Sequence, residues 1–187
     1  MNRMLLIVDA QNDFIDGSLG VNGAKEKMNH LIEYVKNNKD KYECIAFTCD
    51  WHPIDHMSFS VWPIHCVQHT IGAAIYDPLF KAICELNIPF NVLIKGDNPL
   101  REDYSIMNHP ESKGILRNII NVTRKITDID VCGIANEYCV NDSVKDIAND
   151  KIINSNINVL FDYVAAIKDE NVLKNTCKEL NINVICS

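Results

Sequence analysis

The 187-residue chain lacks the features that mark nucleic-acid-binding and membrane-spanning proteins. It has no run of Lys and Arg, and its 18 basic residues stand against 25 acidic ones, a formal net charge of -7. Because phosphate contacts need clustered Lys and Arg, this balance excludes a protein that coats nucleic acid. The most apolar early run, residues 4–8, is stopped by Asp9, far short of the roughly 20 residues that a membrane-spanning helix needs. We expect neither nucleic acid nor membrane as a partner.

The eight cysteines contain no CxxC pair, and the chain shows no sign of export. The apolar run at residues 4–8 has neither the length nor the small-residue cleavage site of a signal peptide. Cysteines in such a setting are typically reduced thiols. The sequence therefore predicts a cytoplasmic protein with free cysteines.

Short apolar runs alternate with helical patterns along the chain. Val- and Ile-rich runs predict strands at 4–10, 44–49, 91–95, 129–134, 157–162 and 182–186. Most are apolar throughout, which is typical of strands covered on both faces. Apolar residues at helical spacing predict helices at 24–37, 138–147 and 171–180. The alternation predicts one α/β domain over residues 1–187, with a mostly parallel sheet sandwiched between helices.

Residues 50–78 interrupt this alternation with an irregular segment that contains three prolines, both tryptophans and four of the six histidines. Such a stretch inside an α/β domain is usually functional or mobile. Ligands of parallel sheets bind at the carboxyl ends of the strands. Asp9, Asp50, Lys95 and Cys139 all fall at or just after a predicted strand end. We therefore expect these four side chains to share one site.

The irregular segment has the composition of a metal site. Carboxylate and imidazole suit a borderline divalent ion such as zinc, and a catalytic site needs three protein ligands and an open position. Asp50 and His52 are two residues apart, so their side chains point the same way in an extended chain. The proline-rich loop can return His65 to meet them. An isolated Asp-x-His is more often a polar surface loop, but four histidines within eighteen residues favour a metal site.

Cys139 is the candidate nucleophile. It falls in the first turn of a predicted helix, with Asn136 as the expected N-cap. A helix start favours the thiolate and offers backbone N–H groups to an oxyanion. Alone, a buried structural cysteine is the commoner interpretation. Asp9 as acceptor of the thiol proton and Lys95 as the nearby cation favour a catalytic role.

Six stretches together resemble the nicotinamidase (pyrazinamidase) branch of the isochorismatase-like cysteine hydrolases. They occur in the family's order: Asp9-Ala-Gln-Asn-Asp-Phe14, Asp50-Trp-His-Pro-Ile-Asp-His-Met-Ser-Phe59, Trp62-Pro-Ile-His-Cys-Val-Gln68, Lys95-Gly96, Tyr104-Ser105 and Gly133-Ile-Ala-Asn-Glu-Tyr-Cys-Val140. Any one is weak evidence, but the ordered set is specific. The resemblance implies the isochorismatase-like hydrolase fold, a three-layer α/β/α sandwich with a central mostly parallel sheet.

The resemblance also implies the residues of the site. The implied catalytic triad is Asp9, Lys95 and Cys139. The implied oxyanion hole is the backbone N–H of Ala135 and Cys139, beside a non-proline cis peptide between Ile134 and Ala135. The implied aromatic walls of the substrate pocket are Phe14, Trp62 and Tyr104.

The resemblance further implies one divalent ion, zinc in preference to iron or manganese, held by Asp50, His52 and His65. His56 matches a position that completes the metal shell in some members and lies outside it in others. Ser58 matches a residue that hydrogen-bonds a metal-bound water.

The activity implied is deamidation of the small molecule nicotinamide to nicotinate and ammonia through a cysteine thioester, a step of NAD salvage. Two alternatives stay open: a related cysteine hydrolase acting on another small amide or carbamoyl compound, and a non-catalytic metal-binding or redox-sensing protein. A homo-oligomer also stays open.

Three short stretches depart from the family pattern. His69 stands where Gly is usual, Asn136-Glu137 replaces Thr-Asp, and Ile106-Met107 replaces a frequent Gly-Phe pair. His69 either alters the geometry of its loop or supplies an extra polar group, and Ile106-Met107 lies at a position that could reshape the pocket.

Overall fold

The computed structural model describes residues 2–186 and contains a six-stranded sheet in which every neighbouring pair of strands is parallel. The strands are β1 (Arg3–Val8), β2 (Cys44–Asp50), β3 (Phe90–Lys95), β4 (Asp128–Ile134), β5 (Asn156–Ala165) and β6 (Asn183–Ile185). Their order across the sheet is β3-β2-β1-β4-β5-β6. Residues 4–8 of the central strand β1 are fully buried, as expected for a strand covered on both faces.

Helices connect the strands and form the two outer layers. They are α1 (Asn12–Ile15), α2 (Ala24–Asn38), α3 (Asp77–Glu85), α4 (Pro110–Asn118), α5 (Asn141–Ala148) and α6 (Asn171–Glu179). The strand order reverses after β3, so right-handed connections put α2 and α3 on one face and α4 to α6 on the other. In agreement, α2 packs on α3, and α5 packs on α6. The predicted three-layer sandwich is confirmed.

The reversal creates a switch point between the carboxyl ends of β1 and β4, where ligands of open α/β sheets bind. Gly133 lets the two strands approach closely at this point. A Cβ atom there would lie 2.0 Å from the carbonyl oxygen of Val8, and the backbone has φ +121°. Only glycine tolerates this combination, and it brings the chain that follows β4 beside the end of β1.

The six predicted strands are all present, and the three predicted helical segments are helical in the structure. Three further helices, α1, α3 and α4, were not predicted. The last two have a proline in the first turn, Pro78 and Pro110, and proline is favoured there because its missing N–H needs no partner. The irregular segment after β2 continues until α3 begins, with only a short 3-10 turn, Met57–Ser60, inside it.

No helix within residues 2–186 combines the length and apolar character that crossing a membrane requires.

Candidate active site

Four adjacent strands bring the predicted catalytic side chains together at the carboxyl edge of the sheet. Asp9 follows β1 directly, while Asp50 and Lys95 are the last residues of β2 and β3. Cys139 lies in a π-helical turn, Asn136–Val140, that follows β4. All four side chains are buried, Asp9 and Lys95 completely. The sequence prediction that these residues share one location is confirmed.

The Lys95 ammonium is the centre of this cluster. Its Nζ lies 2.8 Å from Asp9 Oδ2 and 3.4 Å from Cys139 Sγ, and it also donates to Asp50 Oδ1. Burial lowers the pKa of Lys95, but the two carboxylates outweigh burial and hold it well above its usual value. The ammonium therefore stays charged and balances the acids around it.

Asp9 is a candidate base beside the thiol. Its Oδ1 accepts a hydrogen bond of 2.7 Å from Thr48 Oγ1, and its carboxylate lies within 4.8 Å of Cys139 Sγ. Burial raises the pKa of Asp9 above its ordinary range in spite of Lys95. A carboxylate with a raised pKa is a better proton acceptor than an exposed one.

The position of Cys139 at a helix start favours the thiolate, but its surroundings act in the opposite direction. Burial, reinforced by the charges of Asp9 and Asp50, raises its pKa well above the usual value although Lys95 opposes the shift. The surroundings of the thiol therefore favour its protonated form. Nucleophilic attack needs a base that removes this proton, and Asp9 is placed to do so.

Three side chains from the irregular segment converge on a position suited to a metal ion. Asp50 Oδ2 lies 3.6 Å from His52 Nε2 and 3.9 Å from His65 Nε2. One ligand atom from each of the three residues lies within 4.8 Å of the others. Ligands at about 2.0–2.2 Å from a tetrahedral ion stand about 3.5 Å apart, so this separation fits a single ion.

Hydrogen bonds to the opposite side of each ring orient both histidines. His52 Nδ1 contacts the Gly96 carbonyl at 2.8 Å, and His65 Nδ1 contacts the Pro63 carbonyl at 2.7 Å. Because a carbonyl only accepts, each Nδ1 carries the proton and each Nε2 presents a lone pair toward Asp50. Among the described residues the buried Nε2 of His52 has no hydrogen-bond partner. This orphaned atom and the chemistry of the three donors fit a divalent ion.

His56 and Ser58 lie beside this group and not within it. His56 Nδ1 contacts Ser58 Oγ at 2.7 Å, and its Nε2 contacts the Arg101 carbonyl at 3.0 Å. Both ring nitrogens are thereby engaged, and the ring stacks on that of His52 with centroids 4.1 Å apart. The Ser58 hydroxyl reaches His56, which in turn supports the His52 ring.

A pocket of about 390 Å³ opens over Cys139, Asp50 and His65. Its walls include the three predicted aromatic residues, Phe14, Trp62 and Tyr104, and four residues that the sequence did not reveal, Leu19, Glu102, Tyr138 and Ile167. The indole N–H of Trp62 donates to the Tyr104 hydroxyl at 3.2 Å, and Tyr138 meets the Trp62 ring edge-on. The result is a narrow aromatic slot that ends at the thiol.

Two of the missed wall residues carried a usable signal. Tyr138 is the immediate neighbour of Cys139 in the sequence, and Ile167 follows β5, so it lies at the same carboxyl edge as the site. Because ligands of parallel sheets bind at the carboxyl ends of the strands, the residues after the fifth strand were also candidates, and they include Ile167. No pattern in the sequence indicated Leu19 or Glu102.

The expectation that Asn136 caps its own helix is wrong. Ala135 occupies the cap position, without a side-chain hydrogen bond. Asn136 Oδ1 instead accepts from the N–H of Leu173 at 3.2 Å, in the first turn of α6. The spacing of residues in the sequence cannot show to which of two helix starts a buried amide is hydrogen-bonded.

The implied non-proline cis peptide between Ile134 and Ala135 is present.

The other two departures from the family pattern have separate structural outcomes. His69 has φ +63°, a conformation that glycine adopts without strain, and its ring packs edge-on against Trp51 at 5.2 Å. Ile106 and Met107 are buried in the core, and Tyr104 forms the nearby pocket wall. Neither of these two side chains lines the pocket, and both belong to the core.

No family model matches the chain, but individual relatives do. It is 32% identical to a nicotinamidase of Escherichia coli over 77% of this chain and 75% of that protein. It is 30% identical to a nicotinamidase/pyrazinamidase of Mycobacterium tuberculosis over 99% of both chains. A pyrazinamidase of Pyrococcus horikoshii, solved in complex with zinc, superposes with a TM-score of 0.81 at 29% identity and covers 100% of both chains. The chain therefore belongs to the nicotinamidase branch of the isochorismatase-like cysteine hydrolase family.

Proposed function

We propose that this chain is a metal-dependent nicotinamidase that converts nicotinamide and water to nicotinate and ammonia through a cysteine thioester, in a cytoplasmic NAD salvage route. The observation that carries the proposal is the buried group of Asp9, Lys95 and Cys139, which shares an aromatic pocket with Asp50 and His65. The relatives named above support the substrate. The eight free cysteines support a reducing compartment.

Asp50, His52 and His65 would hold the ion, and the zinc-bound relative supports this assignment. A divalent ion held there would supply a Lewis-acidic position for the nitrogen of a pyridine ring. Phe14, Trp62 and Tyr104 contribute flat apolar surfaces that hold the ring between them and exclude water. The carboxamide then points to Cys139 at the end of the slot.

Acylation begins with transfer of the thiol proton from Cys139 to Asp9. The sulfur attacks the amide carbon, and the backbone N–H groups of Ala135 and Cys139 receive the negative oxygen. Asp9 returns the proton to the leaving nitrogen, so that ammonia departs and a thioester remains. Lys95 keeps the cluster near electrical balance while the sulfur carries charge.

Deacylation repeats these roles with water as the nucleophile. Asp9 takes a proton from a water molecule, and the resulting hydroxide attacks the thioester carbon. The carbon–sulfur bond breaks, the proton returns from Asp9 to the sulfur, and the product leaves as nicotinic acid, which loses its carboxyl proton to solvent and becomes nicotinate. The thiol and the carboxylate are both regenerated.

The test is ammonia release from nicotinamide by purified protein, measured before chelation, after chelation and after zinc is restored. We expect release to fall with the chelator and to return with zinc. Release that ignores the chelator would retain the cysteine hydrolase and remove the role of the ion. No release from zinc-loaded protein would overturn the substrate and favour another small amide or carbamoyl compound.

A further inference from the structure

The loop that follows β5 forms one wall of the pocket although it has no regular structure of its own. Residues 166–170 connect β5 to α6, and the side chains of Lys168, Asp169 and Glu170 are exposed. Ile167 is half-buried and lines the pocket together with Tyr138 and Cys139. Because the loop buries little apolar surface, its position depends on hydrogen bonds from elsewhere.

Those hydrogen bonds end on a single carboxylate. Glu137 Oε2 accepts from the backbone N–H of Ile167 at 3.0 Å. Its Oε1 accepts from the N–H of Asp169 at 2.7 Å and also from that of Lys168. Three successive N–H groups thus form a concave anion site that the protein fills with its own side chain.

The charge of Glu137 strengthens this attachment. Burial raises the pKa of the carboxyl, but the hydrogen bonds from the loop outweigh burial and hold it below its usual value. Hydrogen bonds to a charged acceptor are roughly twice as strong as those between neutral groups. The ionised carboxylate is therefore the form that fastens the loop.

Asn136 fastens the far end of the same loop. Its amide nitrogen contacts the Glu170 carbonyl at 3.4 Å, and its amide oxygen accepts from the Leu173 N–H. Asn136 and Glu137 immediately precede Tyr138 and Cys139 in the sequence. The turn Asn136–Val140 thus carries Cys139, the wall residue Tyr138 and the two side chains that hold the loop of Ile167.

We propose that Glu137 is a positioning residue for the substrate: it fixes Ile167 against the pocket and so sets the width of the slot beside Cys139. The inference rests on the proposed function, because it takes a flat pyridine ring as the occupant of the slot. Ile167 offers apolar contact and no proton or charge. Releasing it weakens binding of the ring more than it slows the chemistry.

The first variant is Glu137→Gln in the zinc-loaded enzyme. The amide keeps one oxygen acceptor but presents an NH₂ group, which cannot accept, so at least one loop N–H loses its partner. We expect KM for nicotinamide to rise about tenfold while kcat stays within about threefold of wild type. The matched control is Glu111→Gln, because Glu111 is an exposed glutamate in the first turn of α4, and its KM is expected to be unchanged.

The second variant, Ile167→Ala, removes the wall and leaves Glu137 in place. We expect it to reproduce the increase in KM. If Glu137 acts through Ile167, the double variant has a KM within about twofold of the Ile167→Ala value, since the two changes break one contact. A KM in the double variant that is raised by the product of the two single-variant increases would overturn the proposal.

Amide hydrogen exchange gives a readout independent of turnover. We expect the Glu137→Gln variant to exchange the amides of Ile167, Lys168 and Asp169 faster than wild type, while the Glu111→Gln control does not. Unchanged exchange at these three amides would overturn the proposal. If Glu137→Gln does not fold, Glu137→Asp takes its place, since the shorter carboxylate is expected to give a smaller rise in KM.

Failure of this inference and failure of the proposed function give different results. Hydrolysis of nicotinamide by wild type with an unchanged KM in Glu137→Gln would overturn the inference alone. A fall in kcat at constant KM would do the same, because it indicates a role in the chemistry. Absence of hydrolysis by zinc-loaded wild type would overturn the proposed function and the inference together.

Discussion

The sheet carries two polar clusters, one at the amino ends and one at the carboxyl ends of its strands. Each is built from one cation and two aspartates, and the two differ in how many of the neighbouring polar atoms lack a hydrogen-bond partner. At the amino end, Arg3 pairs with Asp128 at 3.5 Å and with Asp130. At the carboxyl end, Lys95 pairs with Asp9 and Asp50. Each cluster thus has one cation between two aspartates.

The amino-end cluster is closed by further donors. Asp130 accepts from the Tyr42 hydroxyl at 2.9 Å and from the Asn158 amide at 2.9 Å. Its cation is also partly exposed, with 22% of the Arg3 side chain accessible, whereas the Lys95 side chain is 0% accessible. Hydrogen bonds complete this cluster, and it holds strands together.

The carboxyl-end cluster keeps reactive atoms available. Beside it lie the lone pair of His52 Nε2 and the Cys139 thiol, whose pKa burial raises. Native proteins seldom leave buried polar atoms unpaired, so such atoms call for an explanation by function. The comparison teaches that the number of buried charges does not mark a site, whereas an unpaired histidine lone pair beside a buried thiol does.

Substitution of the proposed nucleophile should have the largest effect on kcat, compared with substitution of a buried cysteine outside the site. We expect Cys139→Ala to lower kcat roughly 10³-fold or more, because no other group supplies the attacking atom. Cys132→Ala is the matched control, since Cys132 is also buried but lies within β4. It should keep its turnover. Ammonia release from nicotinamide measures both, and substantial turnover by Cys139→Ala would exclude the thioester mechanism.

Removing the cation of each cluster tests the comparison directly. Lys95→Met leaves two buried carboxylates uncompensated, and we expect a loss of about 3–5 kcal/mol in the free energy of unfolding together with nearly all activity. Arg3→Met should cost about 1–2 kcal/mol, because its cluster is partly exposed and keeps other donors, and activity should persist. Urea denaturation and ammonia release give the two readouts. Equal loss of activity in both variants would contradict the assignment of roles.

Loss of one histidine ligand should weaken the metal site selectively. We expect His52→Ala to lower zinc affinity roughly 100-fold, since it removes one of three protein ligands. His109→Ala is the control, because His109 is also buried but caps α4 by accepting from Ser112 N–H. Its zinc affinity should stay at the wild-type value. Competition for zinc with a chelator of known affinity distinguishes the two variants.

The smallest expected effect is the pH dependence of the loop attachment. The folded-state pKa of Glu137 is lowered, so its contribution to stability is complete above the unfolded-state value and disappears as pH falls through the folded-state value. The stability difference between wild type and Glu137→Gln should therefore shrink on acidification below about pH 4.5. Urea midpoints of the two proteins between neutral and acidic pH measure it. A difference that is constant with pH would contradict the charged attachment.

Much of the fold was predictable because its signals are local. The strands of a doubly covered sheet are apolar throughout, and each appeared as a short Val- and Ile-rich run. The helices α3 and α4 each have a proline in the first turn, Pro78 and Pro110, and a proline that starts a helix cannot be told from a loop proline by composition alone.

The grouping of Asp9, Asp50, Lys95 and Cys139 was predictable for a topological reason. All four lie at strand ends, and parallel strands bring their carboxyl ends to one edge whatever their order. Chemistry of the side chains then suggested the roles of base, cation, ligand and nucleophile. These inferences needed no distances.

The sequence by itself determined the parallel sheet, the edge that carries the chemistry and the residue types available there, because strand patterns and strand ends are properties of neighbouring residues. Only the tertiary structure decided that His52 and His65 present lone pairs while His56 is engaged elsewhere. It also decided that burial raises the pKa of the Cys139 thiol and that Glu137 accepts a hydrogen bond from the loop of Ile167. These outcomes depend on burial and on contacts across the fold, such as that of His52 with Gly96 and that of Glu137 with Ile167, and no local pattern encodes them.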